Sequence, residues 1–314
     1  MTGSDLDFDR VAVVGAGTAG RGITRALAQV GIEVRMIERT EDSLARAERG
    51  LREAMERDLG RWALTESERD AALSRIEGTT DLDAVRGLDV IFEAVREDPK
   101  EKRVLLAELH RRADDRALFA LNTSTLSISG LAEGLPESRQ RRVIGMHFLH
   151  PVTRIPLVEI VRSRYTDPET EAAARALASR MGKEVMEVAE YPGYLTTRLT
   201  LTLINEAVHV VMEGVATRDA VDRAMRLRMG TRLGPLALAD EMGLDSVQRA
   251  LQSLWKELGL SQFRPAPLLR RMVSEGWLGE KSGRGFYRYD ETGRRLPVDE
   301  DLAEPDLERL LSGS

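Results

Sequence analysis

Four histidines occur in the 314 residues, His110, His147, His150 and His209, and one of them stands where an imidazole can act as a base. His147 closes the apolar run Val143 to Phe148, and a second run, Ile155 to Val161, follows a turn bearing Pro151 and Pro156. Two such runs joined by a short turn form an antiparallel pair, in which facing residues share a constant index sum. A turn centred near Thr153 therefore sets His147 opposite Glu159. An imidazole whose far nitrogen is held by a carboxylate has a fixed tautomer and a stabilised cation, which suits it to accept an alcohol proton during oxidation. The alternative is a core histidine satisfied by hydrogen bonding. His110 and His209 lie in helical, charged or mixed stretches and read as structural or surface residues.

A second chemistry is written near the start of the chain. The apolar run Val11 to Val14 breaks into Gly15-Ala16-Gly17-Thr18-Ala19-Gly20, three glycines spaced as a nucleotide pyrophosphate requires. Gly15 serves the tight turn, Gly17 the close approach of backbone to phosphate, and Gly20 the packing of helix on strand. A helix over about Gly20 to Val30 would aim its free N–H groups at the phosphates. Glu38 ends the next strand, Glu33 to Ile37, where an acid accepts the ribose hydroxyls. Its charge repels a ribose phosphate and favours NAD over NADP, while the adjacent Arg39 pulls the other way.

The elements that must position these groups follow from the hydrophobic pattern. Short apolar runs at Val90 to Phe92 and Ala117 to Leu121 lead into polar segments, Glu93 to Glu97 and Asn122 to Thr125, at the sheet edge where ligands bind. Between Glu38 and Val90 two charged helical segments, Ser43 to Leu59 and Thr65 to Ile76, form an inserted pair, read either as a solvated hairpin or as a flap touching the substrate's carrier. A helix, Thr170 to Met181, and a strand, Lys183 to Val188, lead to Tyr191-Pro192-Gly193-Tyr194. Beyond it helix follows helix, beginning with Leu195 to Glu213. The apolar stripe Leu199, Leu203, Ala207, Val210 and Val211 there serves either the domain core or a dimer interface. The fold class is α/β: a Rossmann-type doubly wound sheet over residues 1–190, an all-helical domain over 191–290, and a charged, loose tail over 291–314.

A net charge of −6 with no basic run argues against a nucleic-acid partner. No uncharged apolar stretch reaches the ~18 residues of a membrane helix. The chain has no cysteine, which removes disulfides and thiolate metal sites, and no metal site is expected. These features suit a cytoplasmic, membrane-free protein.

Taken together, the motifs resemble the 3-hydroxyacyl-CoA dehydrogenases, in particular the 3-hydroxybutyryl-CoA dehydrogenase branch. The resemblance runs from about Arg10 to Tyr289 through the glycine turn, Asn122-Thr123-Ser124, Gly145-Met146-His147-Phe148, Pro156-Leu157-Val158-Glu159, Pro192-Gly193-Tyr194, Gly234-Pro235-Leu236 and Gly283-Arg284-Gly285-Phe286-Tyr287. It implies a reversible NAD-dependent oxidation of a short-chain (S)-3-hydroxyacyl thioester and a homodimer formed through the helical domain. It also implies His147 as base, Glu159 as its partner, Ser124 as the hydroxyl bonding the reacting oxygen, and Glu93 as the cofactor-side glutamate. Without the motif Ser124 would read as a loop cap. Asn122, His150 and Thr197 are assigned to substrate binding. Two of these depart from the family: His150 replaces an asparagine after the catalytic histidine, and Thr197 replaces the asparagine of Pro-Gly-Phe-x-x-Asn-Arg. The departures leave open an acyl-carrier-protein-bound or free 3-hydroxy acid as substrate, or a dinucleotide-binding protein without catalysis.

Overall fold

The computed structural model describes residues 8–60 and 62–296. The chain forms two compact units that divide at Tyr194. In the first unit eight strands build one sheet: β1 Arg10–Val14, β2 Glu33–Ile37, β3 Ile76–Thr79, β4 Val90–Glu93, β5 Leu118–Leu121, β6 Val143–Phe148, β7 Leu157–Arg162 and β8 Glu184–Ala189. Their order is β3-β2-β1-β4-β5-β6-β7-β8. The first six run parallel, which is the doubly wound arrangement with its switch point between β1 and β4. Parallel strands are covered on both faces, and so Val11 to Val14 and all of β4, β5 and β6 are buried. β7 pairs antiparallel with β6, and the helix Pro168–Arg180 carries the chain over to β8, parallel to β7.

Several boundaries differ from the sequence reading. The first helix spans Thr18–Gln29, so Gly20 lies within its first turn and Gly17 is its N-cap. The second helix of the inserted pair stops at Leu73, and Ile76–Thr79 becomes the edge strand β3. That strand is short, carries Gly78 and is only half-buried, so no apolar run announces it. Both inserted helices, Glu41–Leu59 and Glu66–Leu73, start with capping boxes, on Thr40 with Ser43 and on Thr65 with Glu68. Their inner faces are not solvated: Leu51 and Met55 of the first, Ala72 of the second and Leu64 of the connection enter the same core as Ile23 and Leu27 of the first helix of the chain.

The second unit holds the helices Thr196–Met212, Arg218–Met229, Pro235–Met242, Leu244–Leu258 and Pro267–Ser274. Its first helix buries Leu201, Ile204, Val208 and Val211 and leaves Leu199 66% exposed. Of the expected stripe Ala207 and Val211 are buried and Leu199 is not, so the core-facing side is centred on Leu201, Ile204 and Val208 instead, a helix this apolar offering more than one face. Two buried carboxylates tie the unit together. Asp222 accepts from the N–H groups of Leu236 and Ala237 and from the Tyr287 hydroxyl, at 2.8, 2.9 and 2.9 Å. Asp240 accepts from the N–H groups of Phe286 and Tyr287 and from the Tyr289 hydroxyl, each at 2.9 Å. A Cβ at Gly285 would come within 1.9 Å of Asp240 Oδ1, so only glycine fits that wrap. Past Asp290 the chain does not begin a loose tail. It turns back, with Arg294 O accepting from Asp290 N at 3.0 Å and Arg288 O from Leu296 N at 2.9 Å. Residues 297–314 of the expected tail lie outside the described residues.

One ion-pair node spans the first unit. Asp58, at the end of the long inserted helix, takes Nη2 of Arg25 and Nη2 of Arg154 at 2.7 Å each, and its side chain is 8% exposed. Burial raises the Asp58 carboxyl, but the hydrogen bonds from Arg154 and Arg25 outweigh it and hold the group below the usual carboxylate range. A carboxyl depressed in the folded state adds stability above its unfolded value of about 3.9, and that stability is lost as pH falls through the lower folded value. Asp58→Asn, which leaves the Arg25 cation buried without its partner, is expected to cost about 3 kcal/mol at neutral pH. The variant should also show a flatter acid limb, with the deficit shrinking below about pH 4. Urea unfolding across this range checks both statements, and equal stabilities at neutral pH would contradict them.

Candidate active site

The carboxyl ends of β1, β4, β5 and β6 share one edge of the sheet, because these strands run parallel in adjacent order. Chain segments leaving that edge carry the glycine turn, residues 94–97, Asn122 to Thr125, and His147 with its following turn.

At β1 the three glycines divide the work. Gly15 has φ +90, donates its N–H to Ile37 O at 2.9 Å, and lies so close to the β4 loop that a Cβ would stand 2.8 Å from Val95 N. A Cβ at Gly20 would be 1.8 Å from Gly15 O, whereas one at Gly17 would meet nothing within 4 Å. Open space therefore lies at the residue that starts the helix, and no side chain caps that helix. Uncapped first-turn N–H groups beside an open glycine fit a pyrophosphate. Glu38 faces the same turn: its Oε1 accepts the Ala16 N–H at 2.6 Å and its Oε2 the Arg39 N–H at 3.2 Å. Each oxygen keeps a lone pair for a ribose hydroxyl. These residues fit a dinucleotide.

Glu93 is placed differently from its expected role. Its side chain is 1% exposed, and both oxygens bind Nζ of Lys102 at 2.8 Å while Oε1 also accepts the Val95 N–H at 2.7 Å. Burial pushes the Glu93 carboxyl up, against the pull of the Lys102 ammonium. Lys102 is itself fully buried and donates as well to the carbonyls of Val95 and Asn122, at 3.3 and 3.1 Å. The pair is thus an internal strut beneath the β4 and β5 loops rather than a surface offered to cofactor. The carboxylate at the rim is Glu97, which sequence reasoning missed. Glu97 Oε1 accepts from the Ser124 and Thr125 N–H groups at 2.9 and 3.1 Å, and from the Thr123 hydroxyl at 2.5 Å. The signal that could have found it is the run Asn122-Thr123-Ser124-Thr125 leaving a buried strand, whose N–H groups need an acceptor.

β6 and β7 bring the central pair together. Their register sets His147 opposite Glu159, as the index sum requires. Nδ1 of His147 lies 2.5 Å from Glu159 Oε2, with Glu159 fully buried and His147 4% exposed. An ionised carboxylate has no proton to give, so Nδ1 carries the hydrogen and Nε2 presents a lone pair. That nitrogen is 3.2 Å from Ser124 Oγ, whose hydroxyl can donate to it. The ring of Tyr194 covers the imidazole at 5.7 Å between centroids. Tyr194 donates its hydroxyl to Leu126 O at 2.7 Å, and burial, with the charge of Glu97 adding to it, pushes the phenol well above its ordinary value and keeps it neutral.

The remaining sequence candidates are scattered. Asn122 Oδ1 accepts the Phe148 N–H at 3.1 Å and so ties the end of β5 to the end of β6. His150 is exposed on the turn after β6. Thr197 is half-buried on the first turn of the first helix of the second unit. His110 Nδ1 accepts from Arg139 Nε at 3.4 Å, at the helix end Pro99–His110, and burial holds its imidazole below the usual value. His209 Nδ1 lies 3.9 Å from Glu213 in the second unit. No cluster of three or more His, Asp or Glu able to hold a metal occurs among the described residues, and no helix among them is long and apolar enough to cross a membrane.

Comparison with known proteins identifies a family. The family profile of the 3-hydroxyacyl-CoA dehydrogenase NAD binding domain matches residues 10–191, and that of the family's C-terminal domain matches residues 193–289. The 3-hydroxybutyryl-CoA dehydrogenase of Mycobacterium tuberculosis is 37% identical over 90% of this chain and 99% of its own. The mitochondrial hydroxyacyl-coenzyme A dehydrogenase of Sus scrofa is 33% identical over 89% of this chain and 90% of its own. The crystal structure of (S)-3-hydroxybutyryl-CoA dehydrogenase from Ralstonia eutropha superposes with a TM-score of 0.81, at 37% identity, covering 91% of this chain and all of that one. A profile match across nearly the whole chain, joined to a dinucleotide turn and a histidine–carboxylate pair on one sheet edge, places the protein in the 3-hydroxyacyl-CoA dehydrogenase family, whose members are oxidoreductases.

Proposed function

We propose that the protein oxidises a short-chain (S)-3-hydroxyacyl-CoA to the 3-oxoacyl-CoA with NAD, using His147 as the base. The observation that carries this reading is the 2.5 Å contact of His147 Nδ1 with a fully buried Glu159, which leaves Nε2 as the acceptor beside Ser124 Oγ. Relatives that act on 3-hydroxybutyryl-CoA by name, at 36 to 37% identity, support the short acyl chain.

Nε2 of His147 takes the proton of the substrate hydroxyl, and the resulting cation is stabilised by Glu159 behind it. Ser124 Oγ donates to the substrate oxygen, a bond that orients the alcohol and holds the carbonyl as it forms. Glu97, through the Ser124 and Thr125 N–H groups, keeps that hydroxyl in place. The glycine turn at Gly15, Gly17 and Gly20, with Glu38, would hold a dinucleotide, whose nicotinamide would supply the hydride acceptor for C3. Glu38, anchored on the Ala16 N–H beside the glycine turn, would repel a ribose phosphate, which supports NAD. Thr197 and His150 are proposed to contact the acyl thioester, Thr197 with one hydroxyl in place of an amide. The enzyme is further proposed to be cytoplasmic, in keeping with a chain without cysteine, and a homodimer through its second unit, where Leu199 and Val215 are 66% and 71% exposed.

The test is a nicotinamide absorbance assay across the CoA ester, the carrier-protein thioester and the free 3-hydroxy acid, with NAD and NADP. The CoA ester with NAD should give the highest kcat/KM, with NADP at least about tenfold worse. His147→Ala should lower turnover about a thousandfold while leaving NAD affinity nearly intact. Turnover confined to the free acid, or cofactor binding lost with His147, would overturn the reading. A second experiment addresses the departure in the second unit. Thr197→Asn, which restores an amide able to bond the substrate, should raise kcat/KM on the CoA ester by about tenfold or more. An unchanged rate would remove Thr197 from the substrate contacts.

A further inference from the structure

The helix Arg218–Met229 of the second unit carries two exposed arginines, Arg223 and Arg226, with no ion pair among the described residues. On the helix Arg218–Met229, positions 219, 223 and 226 recur at helical spacing and share a face. With Asp222, Arg232, Leu233, Gly234, Ala237 and Arg295 they line a cleft of about 180 Å³. Two cations of this cleft are already paired: Arg295 with Asp219 Oδ1 at 2.6 Å, and Arg232 with Glu241 Oε2 at 2.6 Å. Asp222 is spent on its own backbone and tyrosine donors. Arg223 and Arg226 are exposed and have no ion-pair partner among the described residues. Leu227, one residue on, is 77% exposed, and Met229 is 55% exposed.

The described chain ends at the head of this face. Arg295 stacks on Tyr287 at 3.3 Å and pairs with Asp219, one turn before Arg223 on the same face, and Leu296 is pinned by its N–H to Arg288 O. The 18 residues beyond, 297–314, hold six carboxylates, Asp299, Glu300, Asp301, Glu304, Asp306 and Glu308, against the single cation Arg309. They also hold Leu302, Leu307, Leu310 and Leu311. Arg226 lies about 10 Å along the helix from Asp219, a span that three or four extended residues cover.

We propose that the acidic segment 297–314 docks along the Arg223–Arg226 face of this helix, its carboxylates on the two guanidinium groups and its leucines over Leu227 and Met229. The arginine face is thereby an intramolecular interaction surface for an acidic, leucine-bearing segment. Charge complementarity, the point of departure at Arg295 and the reach of the segment select this occupant over a second copy of the chain.

The absence of native cysteine makes the test direct, because two introduced thiols are the only labelling sites. Nitroxides at Lys256→Cys and Ser312→Cys of the full chain are compared by pulsed dipolar spectroscopy at low salt. The expected result is a narrow distance peak that is lost in 1 M salt, where charge contacts are screened. The peak should also be lost with Arg223→Glu and Arg226→Glu, and regained when Asp299, Glu300 and Asp301 become Lys in that background. A broad distribution in the parent, or one indifferent to the arginine changes, overturns the proposal. A peak that vanishes on dilution with unlabelled chain gives the face to a second copy and overturns it equally. Circular dichroism of each variant confirms that the helices remain.

Discussion

The rest of the structure depends on a single constraint, a carboxylate that has no access to water and one imidazole nitrogen within 2.5 Å. Removing a carboxylate from water costs several kcal/mol, which only close, well-aligned partners offset. His147 is one partner that offsets that cost for Glu159, and the same contact decides which ring nitrogen is left basic. The short connection between β6 and β7 makes the pair antiparallel, and that register is what brings the two side chains together. Only with the last strands reversed do residues 147 and 159 stand directly opposite on the sheet.

Around that pair the molecule repeats one solution, a charge that organises a loop through backbone N–H groups or carbonyls, buried in the case of Glu93 and Lys102 and nearer the surface for Glu97 and Lys183. Lys102 and Glu93 neutralise each other under the sheet edge, and the three N–H groups of the ammonium are shared among the Glu93 oxygens and the Val95 and Asn122 carbonyls. Glu97 gathers the N–H groups of the next loop and so sets where Ser124 projects. Lys183 donates to Ile155 O at 2.7 Å and to Val152 O, which pins the turn that follows His150. Burial lowers the Lys183 ammonium from its usual range. The reactive atoms therefore sit on a rim whose geometry is set from below.

Much of this was legible in the amino-acid sequence wherever a local rule has a single answer. The glycine spacing, the buried parallel strands and the facing of His147 and Glu159 each follow from a period or a register, and each stands as read. Elements without such a rule were misread. β3 has no apolar run, the first helix of the second unit is apolar on more than one side, and residues 291–296 fold back through contacts with Arg288 and Asp219 that no local pattern encodes. Glu93 and Glu97 show the limit most clearly. Both are acids leaving the same strand, and which one is buried depends on Lys102, a turn into the following helix, whose side chain reaches back beneath the loop.

The decisive measurement is the protonation state of the His147 ring, read from the nitrogen chemical shifts of a uniformly ¹⁵N-labelled protein at a pH where the imidazole is neutral. With four histidines, His147 is assigned by the loss of its signals in one variant. A hydrogen on Nδ1 and a bare Nε2 is the result expected from the contact with Glu159. A hydrogen on Nε2 would contradict it, because the nitrogen facing Ser124 could then accept no proton from a substrate alcohol.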